Sequence, residues 1–423
     1  MKIVVKKFGG TSVADVGRIR NVARLLKRFQ ERNPDTKLVV VVSAMAGETN
    51  KLLSLARSCV ENPAVRELDV LVATGEQVTV ALLAMSLIEM GLPARSLLAQ
   101  QARITTDRQY MNAKIESINA ASVAAVLEQG QIAVVAGFQG VDDEGNVTTL
   151  GRGGSDITAV ALAAALKAEA CYIYTDVEGV FTADPRLCPK ARLMKYVSHE
   201  EMLELANLGA KVLHARSVYF AMMYGVPMVV LSTFNPEGGA TWVVEEEKLV
   251  EKPVVTGITY RTDDAKLTIH RLRHASKALG SIFSRLAEEN ISIDMITQTG
   301  LEDGYTSVSF TVPDEKSSRA LGLLQEAVPA LGAEGVSIER DIAKVSAVGV
   351  GMQYHTGVAA RLFEALAAEQ IEVQMIGTSE IKISVVVPRK YCEVAVRALH
   401  KAFIEMSPEL VAEPERVRVE ARQ

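Results

Sequence analysis

The chain has 423 residues, 48% hydrophobic and 23% charged, which is enough apolar material for two or three packed domains and too much for a disordered polypeptide. A formal charge of −5 gives no overall basic field, which argues against nucleic acid or an anionic membrane as a partner and leaves any anionic ligand to local groups. Four cysteines, Cys59, Cys171, Cys188 and Cys392, stand far apart with no CxxC pair, so structural zinc is not expected and a reducing, cytoplasmic setting is.

The opening MKIVVKK is too short an apolar run for a signal peptide, and no stretch approaches the roughly 18 apolar residues of a membrane helix, so no membrane span is expected. From there to about residue 245, apolar runs of strand length alternate with longer stretches of helical period, an α/β pattern. Strands are expected at residues 2–6, 38–42, 131–136, 170–174 and 226–231, most of them near-continuous Val/Ile/Leu runs suited to burial on both faces. Helices are expected at residues 77–90 and 157–166, the first stopped by Gly91-Leu92-Pro93. In open sheets of this kind ligands sit at the carboxyl ends of the strands.

The loops at those ends read KFGGTS, SAMAGETN, ATGEQ at 73–77, GFQG at 137–140, TTLGRGGSD at 148–156 and TDVEGVFTADPR at 175–186. Each combines glycine with hydroxyl or charged residues. Any one alone could be an ordinary turn, but six at successive strand ends point to a ligand site. Lys7, Gly9, Gly10 and the GRGGSD loop offer a cation and backbone N–H groups to a polyphosphate; the helix beginning near Ser155 and the helix after KFGGTS would add free N-termini. Glu76 can bind an ammonium, Arg152 can hold a carboxylate bidentately, and Ser43 and Thr49 can hydrogen-bond what remains, which suits a small zwitterion. Neither a GxxxxGK[ST] loop nor a GxGxxG turn follows the first strand, so this is a different phosphate site.

Residues 235–253, with Pro-Glu-Gly-Gly and three consecutive glutamates, read as a polar linker. Beyond it IFSRLAEENISIDMI aligns with LFEALAAEQIEVQMI at a constant offset of 80, pairing Phe283 with Phe363, Leu286 with Leu366, Ile291 with Ile371 and Met295 with Met375. Each copy reads as strand, helix, strand, strand, helix, a ferredoxin-like order. The second copy lacks a convincing last strand, and VVTGITY at 254–260 lacks a partner nearby. That segment is expected to complete the second sheet, with the first module inserted within the second.

KFGGTSVAD, VVSAMAGETN, TGEQ, GFQG, GRGGSD and YTDVEGVFTADPR together resemble, in order, the motif series of the aspartate kinases in the amino acid kinase family, and the C-terminal repeat resembles their tandem ACT modules. The resemblance implies an open, mostly parallel sheet with helices on both faces, followed by two βαββαβ modules. It places the catalytic domain at 1–245, a linker and strand at 246–264, the first ACT module at 265–340 and the second at 341–423. The implied reaction is Mg·ATP-dependent phosphorylation of the L-aspartate β-carboxylate to 4-phospho-L-aspartate, toward lysine, threonine and methionine.

The same resemblance implies roles for matching positions. Lys7 would contact the transferring phosphoryl group and Asp156 would organise it, with Gly9 and Gly10 cradling phosphate oxygens. Thr175, Asp176, Phe181, Asp184, Arg186 and Lys211 would surround ATP, which carries the magnesium ion. Ser43, Thr49, Glu76, Arg152, Gly153, Gly154 and Ser155 would hold aspartate, and Asp294, Gln298, Glu372 and Thr378 an amino acid effector, lysine or threonine. A homo-oligomer, dimer or tetramer, through the ACT modules is implied. Two departures bear on control: RHASKALGS stands where the family places a Pro-Gly loop, and Ser292 and Glu372 stand where asparagine is common. A weakened or redirected effector response is expected. An amino acid-responsive binding protein with a silent kinase half is the alternative, opposed by the joint presence of Lys7, Glu76, Arg152 and Asp156. A carboxylate or carbamate kinase of the same fold is another, and such enzymes lack tandem ACT modules.

Overall fold

The computed structural model describes residues 2–210, 212–246, 253–273, 275–300 and 303–406. Its N-terminal part contains β1 (Lys2–Phe8), β2 (Thr36–Val42), β3 (Ala94–Leu97), β4 (Ile104–Thr106), β5 (Ile115–Ile118), β6 (Ile132–Ala136), β7 (Gln139–Val141), β8 (Val147–Thr149), β9 (Cys171–Thr175), β10 (Tyr196–Ser198), β11 (Met228–Ser232) and β12 (Ala240–Val244). The main sheet runs β10-β12-β11-β9-β1-β2-β6-β3, parallel except between β11 and β12. A small sheet, β5-β4-β7-β8, stands beside it.

The expected strands form the centre of the main sheet. The unforeseen ones are mostly three or four residues long, too short for a periodicity signal. One expectation fails outright: residues 235–253 are not all linker, because Ala240–Val244 inside them is β12. Its short apolar run, ATWVV, is masked in the sequence by the glycines before it and the glutamates after it.

Alternation along the strands divides the side chains between two cores. Val39 and Val41 of β2 face one core, shared with Ala159, Leu162 and Ala163 of the helix Gly154–Ala165. Leu38, Val40 and Val42 face the other, shared with Ile19, Val22 and Leu26 of the helix Val16–Arg32 and Leu83 and Leu87 of the helix Thr74–Glu89. On β1 the same alternation sends Ile3 and Val5 to the first core and Phe8 to the second. Two adjacent lysines are thereby separated: Lys7 falls on the side of Gly154–Ala165, and Lys6 on the side of Val16–Arg32, where its ammonium lies 3.3 Å from the centre of the Phe29 ring.

Two further expectations are corrected. The glycine pair after β1 leads into a single 3-10 turn, Gly10–Val13, and the helix Val16–Arg32 starts later with Asp15 accepting from Arg18 N at 2.8 Å. No free helix N-terminus therefore stands behind KFGGTS. ATGEQ does not follow a strand either; it joins the helix Val65–Val72 to Thr74–Glu89. Together these span Val65–Glu89, a helical run long and apolar enough by length and composition to cross a membrane. Half of its most apolar stretch is buried inside this fold, and it carries the buried carboxylates Asp69 and Glu76.

The C-terminal strands are β13 (Gly257–Arg261), β14 (Asp264–Arg273), β15 (Ile296–Gln298), β16 (Tyr305–Pro313), β17 (Gly335–Glu339), β18 (Ile342–Val348), β19 (Met375–Thr378) and β20 (Lys382–Pro388). One sheet runs β15-β16-β14-β17 and the other β13-β18-β20-β19. Strand β13, from the VVTGITY segment, is antiparallel to β18, and so occupies the place that β17 takes beside β14. The sequence repeat is a repeat of burial: Leu286 and Leu366 are 0% and 1% exposed, and Ile291 and Ile371 are 4% and 5% exposed. Met295 and Met375 meet Ile342 and Val386 between the modules.

Lys6 is 3% exposed, and burial pushes its ammonium down to about 7. Its hydrogen bond is to the Tyr174 hydroxyl at 3.2 Å. A lysine whose folded value lies below its unfolded one leaves the unfolded chain with the extra proton between those values, so stability rises with pH across that window. Lys6→Gln, neutral and still a donor, is expected to stabilise the fold by about 1 to 3 kcal/mol near pH 6.5. The gain should shrink as pH rises toward 10, read as the difference in urea midpoints between variant and parent. A pH-independent difference would contradict the burial argument.

Candidate active site

The parallel strands β1, β2 and β6 all end on one edge of the sheet, and their loops converge on a cleft of about 410 Å³. Its lining includes Lys7, Gly10, Ser43, Thr49, Glu76, Arg152, Gly153, Gly154, Ser155 and Asp156, so both halves of the expected site, cation loop and zwitterion groups, share one cavity.

At its base Lys7 Nζ lies 2.5 Å from Asp156 Oδ1, both residues 9% exposed. Asp156 sits in the first turn of Gly154–Ala165, whose N-cap is Gly153 at φ +72°, with no capping side chain. Gly154 N and Asp156 N donate to Gly151 O and Gly153 O at 3.0 Å each, so the helix turns its positive end and the Ser155 N–H to the cleft. Glycine is required at this turn twice over. A side chain on Gly153 would come within 2.3 Å of the His214 ring, and one on Gly154 within 2.8 Å of Phe138. On the facing wall, Gly10 approaches Ala44 so closely that a Cβ would lie 3.0 Å from its carbonyl oxygen.

Glu76, in the first turn of Thr74–Glu89, is 3% exposed. Its Oε1 accepts from Ala44 N at 2.9 Å, and its Oε2 is buried without a hydrogen-bond partner among the described residues. Burial raises the carboxyl to about 7 against the opposing backbone hydrogen bonds. A buried acceptor without a donor is costly, and an ammonium would supply one. Arg152, in the same lining, is exposed, and its guanidinium makes no hydrogen bond or ion pair among the described residues. An unmet acceptor and an uncommitted cation lining one cleft fit the two ends of an amino acid.

Gly9, Thr175, Asp176, Phe181, Asp184 and Arg186 are not among the residues that line this cleft. The Gly9 N–H is held by Tyr174 O at 3.2 Å, which joins β1 to the end of β9. Thr175 and Asp176 close β9 and hydrogen-bond each other at 3.2 Å. Asp184 accepts bidentately from Arg186 at 3.0 and 2.7 Å and from the Tyr260 hydroxyl at 3.2 Å, and the Arg186 contact draws its carboxyl below the usual range. Phe181 bridges to Leu193 across the same loop. Lys211 lies outside the described residues. Of the effector residues, Gln298, Glu372 and Thr378 are exposed on or beside the edge strands β15 and β19, whereas Asp294 contacts the ammonium of Lys344, which also pairs with Asp264 at 3.3 Å.

The sequence reading passed over Asn50, Phe138 and His214. Phe138 lines the cleft at φ +69°, a strained value for a non-glycine residue, and only its place in GFQG marked it. His214 faces Gly153 from the N-cap of Ala215–Met223, and nothing in its local sequence pointed there. The loop after β9 is also fastened to the second module: Ile258 N donates to Thr182 O at 2.8 Å, His400 meets Thr182 Oγ1 at 2.9 Å, and Lys190 pairs with Glu405 at 2.7 Å. Cys188 joins His400 and Glu405 there with ligand-type atoms within 4.8 Å, but His400 and Glu405 already spend theirs on Thr182 and Lys190.

Residues 2–232 match the amino acid kinase family, and residues 270–328 and 345–403 each match an ACT domain. The aspartate kinase Ask_LysC of Stutzerimonas stutzeri is 51% identical over 403 residues, covering 95% of this chain and 97% of that one. Aspartokinase III of E. coli in complex with aspartate and ADP superposes with a TM-score of 0.77 at 28% identity, covering 95% of this chain and 99% of the other. The same enzyme with lysine and aspartate gives a TM-score of 0.76 at 28% identity, covering 96% of this chain and all of the other. The chain belongs to the amino acid kinase family, in its aspartate kinase branch with two ACT domains.

The elevated Glu76 carboxyl generates a pH prediction. Below about 7 the free site carries Glu76 protonated and loses its charge for an ammonium, so kcat/KM for the amino acid is expected to fall as pH drops through that value. Glu76→Gln should lower kcat/KM and remove this acidic limb. A limb that survives in Glu76→Gln belongs to another group.

Proposed function

We propose that the protein transfers the γ-phosphoryl group of ATP to the β-carboxylate of L-aspartate, giving 4-phospho-L-aspartate and ADP, the first step toward lysine, threonine and methionine. The observation that carries this reading is the buried Lys7–Asp156 pair at the base of a cleft whose walls present Glu76 and Arg152. Glu76 receives the substrate ammonium, Arg152 the α-carboxylate, and Ser43, Thr49 and the Gly153–Ser155 backbone orient the rest. A β-carboxylate oxygen attacks the γ-phosphorus as the bond to the β,γ-bridging oxygen breaks, and that electron pair leaves on ADP. An aspartate carboxyl, with an ordinary value of about 3.9, reaches the site already ionised, so the reaction needs no general base. That is consistent with Asp156 holding a lysine rather than accepting a proton.

The protein's part is positioning and charge neutralisation. Lys7 meets charge developing on the transferring group, the N-terminus of Gly154–Ala165 adds its dipole, and the Gly9-Gly10 backbone lets phosphate oxygens approach. Thr175, Asp176 and the Phe181–Arg186 loop surround the nucleotide, with Lys211 as an additional cation. Asp156 is paired with Lys7, and the unmet oxygen of Glu76 is assigned to the substrate ammonium, which supports magnesium riding on the ATP phosphates rather than in a protein cage. The proposed compartment is the cytoplasm, in keeping with four free cysteines. The domains are proposed as 1–245, 246–264, 265–340 and 341–423, with a homo-oligomer formed through the ACT modules.

Arg152→Ala should raise KM for aspartate about ten- to a hundredfold, the loss of a charged hydrogen bond, while KM for ATP changes little. ATP-dependent hydroxamate formation with aspartate measures both constants. A shift confined to ATP would reverse the assignment of the two ligands. For control, feedback by lysine or threonine through the ACT modules is proposed to be weak, because Asp294, one of the two carboxylates expected to meet an effector, already holds the Lys344 ammonium. Inhibition is expected only at millimolar lysine or threonine; half-inhibition at low micromolar concentration would contradict it.

A further inference from the structure

Asp69 is fully buried on the helix Val65–Val72, outside the cleft lining, and no motif read from the sequence includes it. Its carboxylate accepts from three neutral donors: Thr149 Oγ1 at 2.5 Å, Thr149 N at 2.8 Å and Met111 N, 3.0 Å from both oxygens. Burial raises this carboxyl and those hydrogen bonds oppose the rise. A buried carboxylate is costly unless its acceptors are met, and here they are met by two separate segments.

Each segment leads to the cleft. Asp69 itself is on the helix that runs through Ala73 into Thr74–Glu89, which bears Glu76. Thr149 ends β8, three residues before Arg152. Met111, at φ +65°, belongs to a loop that walls Gly151: a Cβ there would lie 2.9 Å from Met111 O and 3.0 Å from Asn112 Oδ1. Arg216 braces the same place from below, donating to Asn112 Oδ1, Leu150 O and Ala113 O at 3.0, 2.7 and 3.0 Å. One carboxylate therefore fastens the helix that leads into the one bearing Glu76 to the strand that leads to Arg152 and to the loop that walls Gly151.

We propose that Asp69 is a positioning residue that fixes Glu76 relative to Arg152, and through them the point from which the substrate's side-chain carboxylate reaches toward Lys7. This rests on the reading of those two residues as the ends of the aspartate site. Aspartate and glutamate carry the same ammonium and α-carboxylate on Cα, so a Cα held in place by those two groups leaves one side-chain length that brings the terminal carboxylate to the phosphorus, and glutamate's extra methylene misplaces it. Releasing the tie lets the Arg152 loop drift by a fraction of an ångström to an ångström, which is enough to impair positioning.

The test is steady-state kinetics on the full chain. Asp69→Asn keeps the shape but replaces one acceptor oxygen with a donor. It should raise KM for aspartate about tenfold or more, leave KM for ATP within about twofold, and reduce the kcat/KM preference for aspartate over glutamate. Thr149→Val, which removes only the hydroxyl donor, should move the same constants in the same direction by less, and Thr149→Ser should restore them; this pair keeps the test decisive if Asp69→Asn does not fold. Constants for both substrates shifting together, or a loss of thermal stability with KM for aspartate and substrate preference unchanged, would reduce Asp69 to a structural role and overturn the proposal. Glu76→Gln serves as the control. If it leaves KM for aspartate unmoved, the substrate reading itself has failed; if it raises KM while Asp69→Asn and Thr149→Val do not, only the positioning claim has.

Discussion

The contact between Lys7 and Asp156 is the constraint around which the N-terminal half is arranged. Two opposite charges, with side chains 11% and 12% exposed, are held together where desolvation of either alone would be expensive. For the pair to exist, β1 must end beside the start of Gly154–Ala165, and alternation along β1 must turn Lys7, not Lys6, toward that helix. The helix must begin without a capping side chain so that its N-terminus faces the cleft and not a local hydroxyl. An entering phosphate would then share Lys7 with Asp156, beside the positive end of Gly154–Ala165.

The parallel order of the sheet does the rest of the assembly. β1, β2, β6 and β9 deliver their following loops to one edge, and the helix pair Val65–Val72 and Thr74–Glu89 brings Glu76 to the same edge from the side. The C-terminal half is fastened to the N-terminal part by direct contacts. β13 leaves the kinase part, hydrogen-bonds the loop after β9 through Ile258, reaches Asp184 through Tyr260, and continues as an edge strand of the second module's sheet. Glu201 adds to this junction, accepting from Thr256 Oγ1 at 2.5 Å and Val350 N at 3.0 Å. Any shift of the second module is felt by the loop proposed to hold the nucleotide.

Much of this was legible in the chain because the strongest signals are also the physically costly ones. Continuous valine runs leave no alternative to a doubly covered strand, and paired glycines beside a lysine have few uses. The repeat at an offset of 80 announced two modules, and the orphan VVTGITY strand could be assigned by counting what each sheet lacked. Less visible were features with no local signature. β12 hides between glycines and glutamates, β4, β5, β7 and β8 are too short for alternation to register, and the capped start of Val16–Arg32 depends on Asp15 doing what many aspartates before helices do not. Asp69 carries no local signature. Only its partners, 42 and 80 positions away, show what it joins.

The central claim is that Lys7 and Asp156 act as one unit on the transferring phosphoryl group. Rapid-quench measurement of single-turnover phosphoryl transfer, with aspartate and ATP both saturating, tests it through a double-mutant cycle of Lys7→Ala, Asp156→Asn and the two combined. The account predicts strong non-additivity: the double variant should be about as slow as Lys7→Ala alone, because removing the lysine leaves Asp156 nothing to hold. Losses that multiply across the two substitutions would mean that each residue acts on its own, and would contradict it.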